Sequence, residues 1–192
     1  QIASDAFFIG TDAGNATDPG GLNAKLVIDT SGNIIVPAGS GTIQTATAGT
    51  SNFRAGVNAG NSIASGGDYN TVVGDEAGTA ISTGDRNVAV GYNAGKEITT
   101  SGSNTLVGAH SGDALNTGNH NVALGYATLS ADTKGDRNVA VGSLALQNQN
   151  FTSTTDSYNI AVGYGAGNAI TTGSNNTLVG GLAGDVLSTG NS

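Results

Sequence analysis

The sequence predicts an all-β solenoid built from 17-residue coils, and two observations carry that expectation. The first is a fixed period. An asparagine is followed four residues later by a glycine at Asn70–Gly74, Asn87–Gly91, Asn104–Gly108, Asn121–Gly125, Asn138–Gly142, Asn159–Gly163 and Asn176–Gly180. The asparagines step by 17 residues except once, from Asn138 to Asn159, where the step is 21. A short fixed period marks a repeat architecture in which each unit buries its apolar face only by stacking on the next. The second observation is composition: 32 of 192 residues are glycine, 10% are charged and 5% aromatic, which leaves little bulk for a conventional core. Collagen is excluded by the absence of a Gly-X-Y triplet and by having only two prolines. The strict phase of the aliphatic residues argues against disorder.

Counting the asparagine as position 1, positions 2 to 4 read as a short strand of β-branched and small apolar residues. Both faces of that strand are apolar. Position 4 carries Val73, Val90, Val107, Leu124, Val141, Val162 and Val179, and position 3 carries Val72, Ala89, Leu106, Ala123, Ala140, Ala161 and Leu178. A strand apolar on both sides is buried on both sides. One coil has a single interior, so a second body is expected on the other face. The residues expected at such a shared core are Val72, Ala89, Leu106, Ala123, Ala140, Ala161 and Leu178, with Val90 and Val107. Bulk at position 2 and at position 3 also alternates, as in Thr105-Leu106 against Val88-Ala89, which suggests volume matching in a packed interior.

The invariant glycine at position 5 suits a corner with positive φ or a close backbone approach. The frequent Ala-Gly at positions 8 and 9 suits a second corner, and position 12 is usually aliphatic (Ile81, Ile98, Leu115, Ile170, Leu187). Each coil is therefore expected to run strand, corner, strand, corner. About eight coils over residues 52–192, rising about 4.8 Å each, make a rod on the order of 40 Å long. The asparagines are expected to stack as an amide ladder, and Thr83, Thr100, Thr117, Thr172 and Thr189 at position 14 as a hydroxyl ladder. Before the array, residues 1–24 hold a partial repeat at Phe7–Gly14, residues 25–36 read as a β-hairpin around Ser31-Gly32-Asn33, and residues 37–51 as a connector. The chain stops in phase with its repeat, and a segment of a longer protein is expected.

Composition also bounds function. The net charge of −8, from 14 acidic and 6 basic residues, argues against nucleic-acid binding. No apolar run reaches membrane-spanning length, so membrane insertion by this segment is not expected. Cysteine is absent, which excludes disulfides and thiolate metal sites. No catalytic, metal or cofactor site is expected: His110 and His120 read as surface residues, and Asp75-Glu76 as a solvated corner. Gly84-Asp85-Arg86-Asn87 recurs as Gly135-Asp136-Arg137-Asn138, which makes Asp85, Arg86, Asp136 and Arg137 candidates for intersubunit ion pairs or for an exposed turn. Tyr92, Tyr126 and Tyr164 share position 6 and are candidates either to stack on sugar rings or to cover the corner. The 21-residue coil places its extra residues around Gln147–Ser157, where a solenoid insertion often serves contact. Asn148, Phe151 and Asp156 are its candidate contact residues, with Phe151 either an anchor or a contact.

The Asn-Val-Ala-Val-Gly strand motif resembles the head repeats of trimeric autotransporter adhesins, and its Asn-Thr-Leu-Val-Gly form is similar to repeats of phage tail-fibre proteins. The resemblance spans residues 52–192, with a longer period and an Ala-Gly corner that the adhesin pattern lacks. It implies a left-handed parallel β-roll assembled as a homotrimer. In function it implies a structural and adhesive segment of a bacteriophage tail fibre, located on the virion or otherwise extracellularly. Its partner would be a host cell-surface glycan or protein. The head of a bacterial surface adhesin is the alternative owner. An ice-binding solenoid and a polysaccharide-cleaving enzyme are readings of other classes, the former prompted by the threonine row.

Overall fold

A computed structural model of the chain describes residues 48–190, together with the backbone of three short strands nearer the N-terminus. Its strands are β1 (Phe7–Phe8), β2 (Val27–Ile28), β3 (Ile34–Ile35), β4 (Phe53–Ala55), β5 (Thr71–Val73), β6 (Val88–Val90) and β7 (Thr105–Val107). They continue with β8 (Val122–Leu124), β9 (Gly135–Asp136), β10 (Val139–Val141), β11 (Thr155–Asp156), β12 (Ile160–Val162) and β13 (Thr177–Val179). The described residues contain no helix. The chain divides into two units, residues 1–44 and 45–192.

In the first unit β2 and β3 pair antiparallel, as the hairpin signal predicts. β1 joins them antiparallel to β2. The expected partial repeat at Phe7–Gly14 is therefore corrected where it can be seen: Phe7–Phe8 belongs to a small antiparallel sheet, and the rest of that segment lies outside the described residues. The connector at residues 37–51 falls mostly outside them too.

The second unit is a parallel β-solenoid. Its eight-stranded sheet has the order β13-β12-β10-β8-β7-β6-β5-β4, and eight strands enclose seven coils. Register is kept throughout, with Val72, Ala89, Leu106, Ala123, Ala140, Ala161 and Leu178 aligned in one row. The 21-residue coil obeys the same register, because Val139 pairs with Ile160 one coil on. Its extra residues are absorbed on the far side, where β9 and β11 pair parallel.

The asparagine ladder holds this register. Each backbone N–H from Asn70 to Asn176 donates to the Oδ1 of the asparagine one coil earlier, at 2.8–3.2 Å. The Nδ2 of Asn52, Asn70, Asn87, Asn104, Asn121, Asn159 and Asn176 donates, at 2.7–3.0 Å, to the carbonyl that closes its own coil, such as Gly118 for Asn104. The ladder asparagines, Asn138 included, are all buried. In the long coil, where the closing carbonyl is displaced, the Ser157 hydroxyl donates to Asn138 Oδ1 at 2.8 Å.

The corner glycines meet both conditions predicted for them. From Gly56 to Gly180 their φ lies between 117° and 140°. A Cβ on Gly108 would sit 2.2 Å from the Gly125 carbonyl oxygen, so the coils stack through this column at backbone contact.

The interior is a single file. Position 3 faces inward, and Val72, Ala89, Leu106, Ala123, Ala140 and Ala161 are fully buried within one chain, among Ala77, Ile81, Ile98, Leu115 and Ile170. Leu178 packs on the same cluster at its end. These seven residues are therefore core of the chain itself, which corrects their assignment to a core shared between chains. Positions 2 and 4 point outward, and Val90 and Val107 lie on this partly exposed face. The alternation of bulk at positions 2 and 3 is consequently not volume matching within one interior, because the two positions face opposite sides. Arg54 replaces the apolar residue at position 3 of the first coil, and its guanidinium donates to the Gly60 carbonyl at 2.9 Å, closing that end of the file.

The second strand expected in each coil does not form as regular strand, apart from the β9–β11 pair. Positions 10 to 16 instead run as turns and bends tied by single hydrogen bonds between coils, such as Thr99 N–H to the Asn116 carbonyl. In this segment the hydroxyls that bond the next coil sit at position 13 rather than 14: Ser82 donates to the Thr99 carbonyl at 3.0 Å and Thr171 to the Ser188 carbonyl at 3.2 Å. Thr83, Thr100, Thr172 and Thr189 are exposed.

Asn104→Ala leaves the Asn121 N–H and the Gly118 carbonyl without their buried partners, and is expected to cost about 3 kcal/mol. Urea unfolding followed by circular dichroism checks this against Thr100→Ala, an exposed change expected to cost under about 0.5 kcal/mol.

Candidate functional site

After the strand and its corner glycine, residue 6 of each coil projects outward and residue 7 takes a left-handed conformation, with φ of 56° at Asn58, 59° at Glu76, 57° at Asn93 and 57° at His110. Residue 8 turns back inward. This corner forms a continuous column along the stack, and Tyr92, Tyr126 and Tyr164 stand on it at 51%, 56% and 59% exposure. They stand out from the corner rather than cover it, since each residue is more than half exposed. Ala109 and Ser143 occupy the intervening coils, so large and small residues alternate.

His110 belongs to this column, although in sequence it looks isolated. Its ring lies between two tyrosines, 5.3 Å from Tyr92 and 6.1 Å from Tyr126, edge-on to both. Such aromatic contacts are among the favoured geometries for rings at these separations. Its Nδ1 lies 3.0 Å from Asp113 Oδ2, which fixes the ring plane. The signal available in the sequence is a one-coil offset: His110 is at position 7 of the coil between the two tyrosines. His120 is exposed on a different corner, with a left-handed φ of 59°.

The repeated Asp-Arg pairs have roles inside the chain. Position 16 forms a second side-chain ladder: Asp85 Oδ1 accepts the Asp68 N–H at 2.8 Å, Asn119 Oδ1 the Gly102 N–H at 2.8 Å, and Asp136 Oδ1 the Asn119 N–H at 2.7 Å. Arg86 lies 3.8 Å from its neighbour Asp85 and over the Tyr69 ring. Arg137 pairs with Asp156 and covers the Tyr158 ring. All four candidate intersubunit residues thus have partners within one chain, and ion pairs this exposed contribute little to stability.

In the long coil the structure separates the three candidates. Phe151 is 6% exposed and anchors the insertion, which settles its two readings in favour of the anchor. Asn148 is exposed and donates to the Asn168 carbonyl at 2.9 Å. Asp156 is exposed and held by Arg137.

Beneath this loop lies a polar interior that the aliphatic reading of position 12 passes over. Position 12 is Asp132 in the fifth coil and Gln149 in the sixth, both fully buried. Gln149 Nε2 donates to Asp132 Oδ2 at 2.6 Å, and Gln149 Oε1 accepts from Asn159 of the ladder at 2.7 Å. The N–H groups of Gly135, Lys134 and Phe151 donate to Asp132 Oδ1, at 2.9, 3.2 and 3.4 Å. Apolar volume is restored at position 9, where Leu129 and Leu146 replace glycine in those same two coils and accept φ of 52° and 48° to do so. The network orders the insertion around a carboxylate with every donor directed at it.

Among the described residues, no three His, Cys, Asp or Glu side chains gather where they could share a metal ion. No helix among them is long and apolar enough to cross a membrane. No family model, curated protein or solved structure matches the chain.

Burial pushes the Asp132 carboxyl above its ordinary value of 3.8, against the lowering pull of Gln149 and the three backbone donors. A raised native pKa means that the folded state binds this proton more firmly than the unfolded chain. The resulting stabilisation is complete below 3.8 and is lost as pH rises through the native value. The stability of the wild type relative to Asp132→Asn is therefore expected to fall as pH rises through that window. Thermal unfolding across acid pH checks this, and a difference independent of pH contradicts it.

Proposed function

We propose that this chain is a structural and adhesive fibre segment, a homotrimer of left-handed β-rolls belonging to a bacteriophage tail fibre and serving host attachment at the virion surface. The observation that supports it is the outward face of the eight-stranded sheet. Val73, Val88, Val90, Val107, Val122, Leu124, Val139, Val141, Ile160 and Val162 form two rows there without a charged residue between them, and all are partly exposed in the single chain. An aliphatic face this long on a soluble chain marks an interaction surface. The rows are straight because register is strict, so a second copy meets them coil by coil.

Completing the burial of ten such side chains is worth on the order of 10 kcal/mol per chain, taking about half of a full transfer for each. That is of the same size as the entropic cost of association. Assembly is therefore expected to depend on most of the face being used at once, which suits identical chains running side by side. The residues of this shared surface are the outward ones at positions 2 and 4, including Val90 and Val107.

Sedimentation equilibrium of the full chain tests the proposal. The expected mass is three times that of one chain, and Val90→Lys combined with Val107→Lys is expected to reduce it to one. A wild-type mass equal to a single chain would overturn the proposal.

A further inference from the structure

The tyrosine column carries a more specific inference, which rests on the adhesive reading and names its ligand. Tyr92, Tyr126 and Tyr164 occupy the third, fifth and seventh coils, so they stand on every second coil. In sequence their spacings differ, 34 residues and then 38. In space the spacings are equal, because the long coil keeps strand register and places its insertion on another side. Two coils rise about 9.6 Å, twice the spacing of hydrogen-bonded strands. That rise is close to the disaccharide repeat of an extended β-1,4-linked glycan.

The intervening residues reinforce the match. Ala109 and Ser143 keep the column low between the rings, while His110 fills the first gap at the base and braces Tyr92 and Tyr126 edge-on. Each tyrosine offers an apolar ring face and a hydroxyl, the pairing that stacks on a sugar and bonds its equatorial oxygens. Rigid corners reduce the ordering cost of binding, since Gly91, Gly125 and Gly163, the residues immediately before the tyrosines, are each in close backbone contact with the next coil.

We infer that this column is a linear glycan-binding track that takes an extended β-1,4-linked polysaccharide parallel to the fibre axis, one disaccharide for each tyrosine. Alternate sugars of such a chain present the same face, so one tyrosine on every second coil meets equivalent faces along it. A chain that coils, such as an α-1,4-linked glucan, loses this register after the first contact.

The test is calorimetric titration of the full chain with β-1,4-linked gluco- and N-acetylgluco-oligosaccharides of increasing length, against the α-1,4-linked gluco-series. Affinity is expected to rise in steps from disaccharide to tetrasaccharide to hexasaccharide in a β-1,4 series, and to stay flat in the α-1,4 series. Tyr126→Ala, at the centre of the track, is expected to lower hexasaccharide affinity about tenfold and to reduce the disaccharide stoichiometry by about a third. Sedimentation of the same samples reports the assembly separately. A trimer that binds neither β-1,4 series overturns the track and leaves the fibre reading standing, and a monomer with stepwise binding does the reverse. Binding that is indifferent to length or to Tyr126→Ala also overturns the track.

Discussion

Everything in this solenoid depends on one repeated hydrogen-bonding problem and its solution by asparagine. A three-residue strand is too short to hold a coil in place, and each coil has few large side chains to bury. The asparagine at the head of each strand ties two directions together. Its oxygen accepts from the next coil, and its amide nitrogen closes its own coil, as Asn104 does on the Gly118 carbonyl. Buried amides of this kind stabilise only when fully paired, and here each is paired by the repeat itself. Aspartate in that place would lose the donor, and serine would lose one of the two reaches.

Once register is fixed this way, the coil's other positions become columns that vary independently. Position 5 is confined to glycine because the backbone of the next coil occupies the space a Cβ would need. Position 6, which faces solvent, accepts Asp75, Tyr92, Ala109, Tyr126 and Ser143 in turn. The interior exchanges bulk between columns: where position 12 becomes Asp132 and Gln149, position 9 becomes Leu129 and Leu146. The long coil follows the same logic, since its extra residues keep the strand row and the N–H to Oδ1 step of the ladder, and gather around one buried carboxylate. A solenoid can thus carry local chemistry on one side without disturbing the opposite one.

Much of this is legible in the sequence because the repeat is its own alignment. The recurring Asn-x-x-x-Gly is enough to reveal the amide ladder and the corner glycine. Direction is not legible. The residues at positions 3 and 4 are equally apolar, and only the fold shows that Leu106 lies inside its own chain while Val107 lies outside. The second strand is overread for a related reason: aliphatic and hydroxyl residues at positions 12 to 14 suit a strand by type, yet only single inter-coil bonds form there. Asp85 and Asp136 stand out in the sequence as charges, whereas the fold uses them as acceptors for a neighbouring backbone N–H. His110 is hidden because its partners are one coil away on each side, a distance that sequence proximity does not show.

That side-chain amides hold the stack is open to direct measurement by hydrogen exchange of the asparagine Nδ2 protons, observed by NMR alongside the strand backbone amides. The Nδ2 protons of Asn87, Asn104 and Asn121 are predicted to exchange as slowly as the N–H groups of Val88, Thr105 and Val122, since both open only when coils separate. Side-chain exchange at the rate of a solvated amide, with the strand amides still protected, would contradict the ladder's role.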